Sequence, residues 1–416
     1  MTPFTFFSKF ILSLSLIAIV CSDTKAQSDT LVKKKTVDTS RLSLNMDATY
    51  SRPFTKSTKY PMAIGGYVEA NSLHSTTDGV SEGLSFQMRR MTLFFSSTIA
   101  KRIKFLAELE LEDGTKELNL EYAAIDVEMN ALLNIRGGIL MNPIGGFNQN
   151  HDGPRWDFID RPFSSTTIIP STLSNVGFGL YGKTFLKRLT LGYEIYLTNG
   201  FNDQIISNTE NRTSLAAAKL NPNRFEESPN GVPMITSKVA LRHRKLGELG
   251  LSFMNGTYNT FEIEGLSIDK QRKVNVLALD FNSNLLKNKI ALVGEIVKVM
   301  VDVPETYSQT FGNAQFGGFM DLAWTFFQKP IKFMGWDKAK INAVVRFDYA
   351  DYNQGKFKET QTNIYDNLWA ITPGIALRPV GSTVIRFNYR YLNQTDLLGN
   401  PPLQTGTILL GFSSYF

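Results

Sequence analysis

The chain ends in the segment Thr405-Gly406-Thr407-Ile408-Leu409-Leu410-Gly411-Phe412-Ser413-Ser414-Tyr415-Phe416. Ile408, Leu410, Phe412 and Phe416 share one parity, and most residues between them are small or polar. This period of two predicts a strand with two unlike faces. The last residues of a soluble domain usually fray into water, so an apolar terminal strand is unusual there.

Two interpretations of this strand are open: the closing strand of a membrane barrel, or a terminal strand in a soluble sheet. The other end of the chain favours export. Lys9 precedes the apolar run Phe10 to Val20, and Ala26 suits the position before signal-peptidase cleavage. The run is too short for a membrane-spanning helix, which needs roughly twenty residues. We therefore predict a signal peptide at residues 1–26.

Cys21 raises the alternative of a lipoprotein, which Val20 disfavours because a lipidation motif has a small residue before its cysteine. Since Cys21 is the only cysteine, cleavage leaves a mature chain without a disulfide or a thiol. Residues 27–60 carry many Ser and Thr and no sustained periodicity, and we predict a flexible periplasmic segment. A short extra strand at Leu42 to Met46 is the alternative.

The composition agrees with an exported all-β protein. The chain has 416 residues, of which 31 are Gly, 15 Tyr and 30 Phe, and these types supply tight turns and aromatic interface girdles. Charges or turns interrupt every apolar segment after the signal, so no transmembrane helix is predicted. The formal charge of +6, mild for this length, gives no indication of nucleic-acid binding.

From residue 61 onward the sequence predicts sixteen antiparallel strands. Their predicted bounds are 64–71, 85–99, 103–112, 117–127, 132–141, 175–185, 189–199, 233–242, 248–257, 273–282, 290–301, 314–327, 340–349, 368–377, 383–392 and 405–416. Short and long connections alternate, which is the pattern of a transmembrane barrel with short periplasmic turns and long extracellular loops. Strands in lipid must close on themselves because their backbone groups have no water to bond. We therefore predict one sixteen-stranded antiparallel transmembrane β-barrel at residues 61–416.

The parity of two strands predicts a polar interior with charges of both signs. Apolar residues alternate with Arg386, Asn388 and Arg390 in the fifteenth strand, and with charged residues in the third. Charges on the lipid face would be costly at the bilayer centre, so they must point inward. The predicted pore-lining residues are Arg90, Lys104, Glu108, Glu110, Glu112, Arg136, Arg346, Asp348, Arg386 and Arg390, with Glu117 and Glu121 as further candidates.

Arg89 and Arg90 are neighbours in the second strand, and adjacent strand residues point to opposite faces. We predict Arg90 in the interior and Arg89 near a rim. Sixteen strands leave an aqueous bore, which favours a channel. The alternative is a plugged barrel in which the inward charges only pair with each other.

Several motifs resemble the phosphate-selective porin O and P family of outer-membrane porins. They are Arg89-Arg90-Met91, the run from Ile135 to Pro143, Asp157 to Pro162, Asn175 to Gly182, and Leu197 to Gly200. The resemblance implies a sixteen-stranded porin, a homotrimer, and a third long loop folded into the bore. The corresponding loop is 142–174.

That loop contains the constriction residues implied by the resemblance, Arg155, Asp157, Asp160 and Arg161. The family's phosphate-selective members use an arginine ladder and a lysine cluster. Here acidic residues balance the arginines of the loop, and the third strand carries an acidic stripe. Because rings of charge set pore selectivity, the sequence predicts the porin fold more firmly than phosphate as its solute.

Catalysis and cofactors are not predicted. His151 and Asp152 are the only neighbouring His/Asp pair, and a loop contact is the simpler interpretation because a catalytic base needs defined geometry. No histidine pair has metal-ligand spacing, so no metal site is predicted either. The prediction is a non-enzymatic outer-membrane channel, in contact with outer-membrane lipid, for passive diffusion of small hydrophilic, mainly anionic solutes such as phosphate. The alternatives are a barrel that acts through its surface loops, in adhesion or in a surface complex, and a barrel for apolar solutes, which the polar loop 200–232 disfavours.

Overall fold

The structure is a computed structural model that describes residues 44–53, 62–307 and 311–416. The predicted signal peptide, residues 1–26, and the rest of the sequence up to residue 43 lie outside these ranges. The strands are β1 Met62–Thr77, β2 Val80–Ala100, β3 Ile103–Glu112, β4 Glu117–Glu128, β5 Asn134–Met141, β6 Ser174–Leu186, β7 Leu189–Thr198, β8 Met234–His243, β9 Gly247–Thr257, β10 Glu262–Ile263, β11 Leu266–Ser267, β12 Lys273–Leu285, β13 Ile290–Val301, β14 Ala314–Gln328, β15 Lys340–Gln354, β16 Asn367–Arg378, β17 Thr383–Thr395 and β18 Leu403–Tyr415.

The helices within the described ranges are short. A five-residue α-helix spans Leu215–Lys219, and a π-helical turn spans Ser164–Ile168. The 3-10 turns are Asn45–Asp47, Thr49–Ser51, Asp113–Thr115, Asn148–Asn150, Gly153–Arg155, Asp203–Ile205, Pro222–Phe225 and Lys332–Met334. No helix among the described residues is long and apolar enough to cross a membrane.

Sixteen of the strands form one closed antiparallel barrel, and β10 pairs with β11 in a separate hairpin. All sixteen predicted strands are confirmed, with ends that differ by a few residues. The cylinder closes between the first strand and the last: Tyr67 lies opposite Tyr415, and Gly66 and Phe416 exchange backbone hydrogen bonds of 3.2 and 3.0 Å. The C-terminal segment is therefore the closing strand of a barrel.

The two faces of the strands differ as the period of two predicts. In β18 the side chains of Ile408, Leu410 and Phe412 are exposed on the outside, whereas Leu409 and Ser413 are buried inside. In β17 Phe387 points outward and Arg386 points inward. The outer surface is thus an apolar band, which is the surface that a bilayer requires.

A charge placed on the centre of this apolar band should destabilise the barrel. Leu410 lies in the middle of β18 and is 53% exposed, and Leu403 lies at the end of the same strand and is 52% exposed. We expect Leu410→Arg to lower the free energy of unfolding in vesicles by about 2–4 kcal/mol and Leu403→Arg to lower it by about 1 kcal/mol or less. Urea titration of tryptophan fluorescence in lipid vesicles measures both. Equal effects would contradict a bilayer centred on Leu410.

Two β-bulges turn additional charged residues into the barrel. Glu69 pairs with Arg90 and Ala70 with Met88, so Arg89 has no partner across the β1/β2 pair. The bulge allows Arg89 and Arg90 to point inward together, because an extra residue interrupts the alternation of faces. The prediction that Arg89 lies near a rim is wrong: its guanidinium group donates to Asp160 in the interior, at 3.0 Å. In β4 a second bulge at Glu121 points that carboxylate inward.

The connections alternate in length around the barrel. On the side of Phe416 the connections are 101–102, 129–133, 187–188, 244–246, 286–289, 329–339 and 379–382, and all except the eleven-residue connection 329–339 are short. On the opposite side the longer loops include 142–173, 199–233 and 258–272. The prediction of one short-turn rim and one long-loop rim is confirmed.

Candidate functional site in the barrel interior

Two segments fill the middle of the barrel. We call residues 142–173 the inner loop and residues 44–53 the inner segment. The inner loop enters between β5 and β6 and contacts strands on the far side of the barrel, for example where Ile159 donates its backbone N–H to Asn388 at 3.0 Å. Its position inside the bore is the one that the family resemblance implies.

Backbone contacts hold the first part of the inner loop against the wall. Gly146 and Phe147 donate their backbone N–H groups to the Glu295 carboxylate at 2.8 and 3.0 Å, and Lys238 donates to the carbonyl oxygen of Gly145 at 2.6 Å. Gly145 has a φ of +66°, and a Cβ atom there would lie 2.3 Å from a Glu295 oxygen. Only glycine fits this close approach in a left-handed conformation.

All four predicted constriction residues contact side chains of the barrel wall. Arg155 donates to the Tyr415 hydroxyl at 3.0 Å, and Asp157 accepts from Arg378 at 2.7 Å. Asp160 accepts from Arg89 and Arg390, and Arg161 lies 3.4 Å from Glu110. Burial disfavours a charged Asp160, but Arg390 and Arg89 outweigh it and lower the pKa of the carboxyl group. The loop is therefore anchored by ion pairs on several strands.

The wall charges opposite the inner loop form a connected network. Glu69 accepts from Arg386 at 2.7 Å and from Arg90 at 3.2 Å, and both guanidinium groups are buried. Arg90 also lies 2.9 Å from Glu110 and 2.7 Å from Glu112. Arg386 donates to the carbonyl oxygen of Phe158 in the inner loop at 2.7 Å. These predicted pore-lining residues do point inward, but they are paired.

The other predicted pore-lining residues are paired as well. Arg346 makes two 2.6 Å hydrogen bonds to Asp321, and Asp348 accepts from the backbone N–H of Phe163 at 3.2 Å. Arg136 makes two hydrogen bonds to Asp126, at 2.8 and 3.0 Å. Lys104 pairs with Glu128 at the short-turn rim, where both side chains are partly exposed.

The inner segment crosses the barrel on the short-turn side of the inner loop. Its Arg52 side chain is fully buried and donates to Asp152 at 2.6 and 2.9 Å and to Glu108 at 3.0 Å. Asn45 donates its backbone N–H to Glu248 on β9 at 3.0 Å, and Asp47 pairs with Lys183 on β6.

The described residues 44–53 fold as two 3-10 turns, and neither a flexible segment nor a strand is found in them. The rest of the predicted segment 27–60, including Leu42 and Ser43 of the alternative strand Leu42 to Met46, lies outside the described residues. The sequence pattern fails here because the contacts that order the inner segment come from distant strands. The segment is ordered by the buried ion pairs of Arg52 and by the packing of Leu44 and Met46 against Ala240 and Tyr181 of the wall.

One side of the interior is an apolar core. Ile144, Ile168 and Leu173 of the inner loop and Phe201 and Ile205 of the next long loop are buried against β8, β9, β12 and β13. The strands contribute the inward side chains Met234, Met254, Val274, Val276, Val297 and Val299. The loop 199–233, expected to be polar, therefore places an apolar face inside the barrel.

His151 of the inner loop lies in a cluster of buried acids. Its Nε2 atom is 3.3 Å from both Glu108 Oε1 and Glu121 Oε2, and 3.8 Å from Asp152 Oδ1. Burial opposes the imidazolium form, but Glu108 and Glu121 outweigh burial and raise the pKa of His151 to about 10. The His151/Asp152 pair is thus part of a larger ionic cluster.

A polar cavity of about 450 Å³ lies on the long-loop side of the inner loop. It is lined by Lys219 and Arg224 of the loop 199–233, by Glu117 and Asn119 of β4, and by Ser171 of the inner loop. Lys219 and Arg224 give this cavity two cationic side chains against one carboxylate.

The sequence analysis missed several interior groups. Glu69, Lys238, Asp280, Glu295 and Asp321 are inward-facing and buried. The period of two contained the signal for each of them, since each shares the parity of buried neighbours in its strand. Arg52 had no such signal, because it lies outside the periodic strands.

The inner loop and the inner segment narrow the interior of the barrel at mid-height. Inward-facing side chains around the wall are buried there, among them Glu69 on β1, Tyr196 on β7, Phe319 on β14 and Arg386 on β17. Arg89, Asp160 and Arg390 keep partly exposed side chains in the same region.

Comparison with known proteins gives a limited sequence match. No protein-family model matches the chain. A protein of Aquifex aeolicus (strain VF5), described as uncharacterized, is 32% identical over 149 residues. The match covers 34% of this chain and 33% of that protein. The resemblance to the phosphate-selective porin O and P family stays a prediction.

Comparison with solved structures covers most of the chain. An anion-selective porin from Comamonas acidovorans has a TM-score of 0.51 at 13% identity, over 85% of this chain and 99% of that one. The outer membrane channel DcaP of Acinetobacter baumannii has a TM-score of 0.53 at 11% identity, over 87% and 99%. OprB of Pseudomonas putida has a TM-score of 0.53 at 9% identity, over 86% and 94%. The chain therefore has the fold of outer-membrane porins.

Proposed function

We propose that the protein is an outer-membrane channel for small hydrophilic solutes, mainly anions, and that the conformation described above is its closed state. The observation that supports this most directly is the contrast between the two faces of the barrel. The outside is apolar, and the inside carries ionised side chains such as Glu69, Arg346 and Arg386 at mid-height. Burying such charges carries a large desolvation penalty unless they form ion pairs or line a water-filled path.

Opening requires the inner segment to leave the lumen. It is held by the ion pairs of Arg52 and Asp47, by the hydrogen bonds of Asn45, by a 2.7 Å hydrogen bond from Arg155 to the carbonyl oxygen of Ala48, and by the packing of Leu44 and Met46 against the wall. The inner loop, in contrast, is covalently tied at both ends to β5 and β6 and packs against an apolar core. The inner segment is therefore the more readily displaced of the two obstructions.

The cavity on the long-loop side supports the preference for anions. Lys219 and Arg224 line this cavity together with Thr166 and Ser171 of the inner loop, so solutes that enter it meet both cations. Fixed charges at a constriction select against ions of the same sign. Phosphate is one candidate solute, and the family resemblance alone suggests it.

The reversal potential in a KCl gradient tests the preference for anions. We expect a chloride-preferring potential, and we expect the double substitution Lys219→Ala with Arg224→Ala to shift it toward the potassium potential. Lys287→Ala, in a short turn at the opposite rim, should leave it unchanged. A cation-preferring potential in the unsubstituted protein would contradict the proposed selectivity.

The narrowed interior specifically favours a second candidate function. A barrel that never conducts could act through its long surface loops, in adhesion or in a surface complex. Absence of current from both the complete protein and a variant without the inner segment would support this candidate. A homotrimer, the assembly predicted from the family resemblance, is testable by native mass determination in detergent.

A further inference from the structure

Four side chains from three parts of the chain converge beside the inner segment. They are Glu108 and Glu110 of β3, Glu121 of β4 and His151 of the inner loop. One oxygen or nitrogen atom of each lies within 4.8 Å of the corresponding atom of every other, and all four residues are buried. Imidazole nitrogen and carboxylate oxygen together are a ligand set for divalent transition metals.

The His151 ring has the orientation of a metal ligand. Its Nδ1 atom lies 3.0 Å from the carbonyl oxygen of Asn148, which can only accept, so Nδ1 carries the donated proton. This contact leaves Nε2 directed at the carboxylates. Histidines that bind metals usually have their other ring N–H held by a carbonyl or carboxylate in this way.

The separations at Nε2 are those of neighbouring ligand atoms. Glu108 Oε1 and Glu121 Oε2 are each 3.3 Å from Nε2. A charge-assisted hydrogen bond between a nitrogen and a carboxylate oxygen is usually about 2.7–2.9 Å. Tetrahedral coordination with bonds of about 2.0–2.1 Å places ligand atoms about 3.3–3.4 Å apart.

Three buried carboxylate oxygens of the cluster, Glu108 Oε2, Glu110 Oε2 and Glu121 Oε2, accept no hydrogen bond of standard geometry. Glu108 Oε2 lies 2.8 Å from Arg52 and Glu121 Oε2 lies 3.3 Å from His151 Nε2, which leaves Glu110 Oε2 as the acceptor of the three without a nearby cation. The guanidinium groups of Arg90 and Arg161 act on the other oxygen of Glu110, at 2.9 and 3.4 Å. A buried acceptor without a partner is costly, so a cation between these oxygens would be stabilised.

We propose that Glu108, Glu110, Glu121 and His151 bind one divalent transition-metal ion of the Zn²⁺ class. The ion joins the inner loop to β3 and β4. Because Arg52 also contacts Glu108, the ion lies next to the anchor of the inner segment. A proton competes with the metal ion for His151 Nε2, and the protonated imidazole cannot bind the metal.

The test is Zn²⁺ binding to the complete folded protein, purified without a histidine tag and stripped with a chelator. We expect one Zn²⁺ per chain by elemental analysis, and by calorimetry at pH 8 a loss of affinity of about 100-fold or more in Glu121→Gln and in His151→Asn. Glu128→Gln, on the same strand as Glu121, and His243→Asn, at the end of β8, are the matched controls and should bind like the unsubstituted protein. The measurement needs no current through the barrel, so its outcome is independent of the proposed channel function.

A spectroscopic measurement decides the question even if a substituted barrel does not fold. Co²⁺ added to the stripped protein should give the intense visible absorption of a four-coordinate site, and Zn²⁺ should remove it. Less than about 0.1 Zn²⁺ per chain without a Co²⁺ band would overturn the proposal. Undiminished Zn²⁺ binding by folded His151→Asn would also overturn it.

Discussion

Replacement of Arg52 by alanine is expected to raise the open probability of single channels by roughly 100-fold or more. The guanidinium group is buried between Asp152 and Glu108, and its removal leaves both carboxylates buried without that cation. Breaking a buried ion pair in this way costs about 3–5 kcal/mol. The substitution destabilises the closed state, in which the inner segment is in place. The open state is little affected because both carboxylates are hydrated once the segment has left. Each 1.4 kcal/mol changes the population ratio about tenfold.

The control for Arg52→Ala is Lys183→Ala. Lys183 pairs with Asp47 of the same inner segment, but both side chains are partly exposed. Such pairs contribute about 0–1 kcal/mol, so the open probability should change by less than about fivefold. Single-channel recording in planar bilayers measures both variants. Current traces of Arg52→Ala that match the unsubstituted protein would show that the inner segment is not the barrier.

Replacement of Glu69 by glutamine is expected to destabilise the folded barrel by about 3–5 kcal/mol. Glu69 is 2% exposed and neutralises Arg386 and Arg90, each of which also contacts another part of the network. Glutamine keeps the size of the side chain and removes its charge, so two buried guanidinium groups lose a shared anion. Arg386 also holds the inner loop through Phe158, so the loop should become more accessible to protease.

The same substitution at Glu128 is the matched control. The Glu128 side chain is 41% exposed and pairs with Lys104 at the rim, so Glu128→Gln should cost about 1 kcal/mol or less. Urea unfolding from lipid vesicles compares the two variants directly. Similar losses for Glu69→Gln and Glu128→Gln would mean that the interior network does not stabilise the barrel.

Much of the barrel could be predicted from short-range patterns. The side-chain period of two indicates strands and their apolar faces, and the alternating loop lengths indicate an antiparallel meander. The third strand shows this well: Glu108 and Glu110 point inward as predicted. Local alternation was insufficient where a bulge interrupts it, and for that reason the orientation of Arg89 was predicted wrongly.

The contents of the interior could not be predicted in the same way. Arg386 and Glu69 are 317 positions apart, and Arg52 and Asp152 are 100 apart. The pairing of these charges depends on the positions of the sixteen strands around the cylinder. No local sequence pattern indicates those positions. The charges predicted for the interior do lie there, but their partners Glu69 and Arg52 were not predicted.

The sequence alone therefore determined the sixteen strands, their closure and the polarity of each face, because these follow from a period that neighbouring residues display. Only the tertiary structure decided that the inner segment lies inside the barrel and that His151 meets three carboxylates. The reason is physical: buried ion pairs form between residues distant in the chain, and their geometry exists only after the barrel has closed.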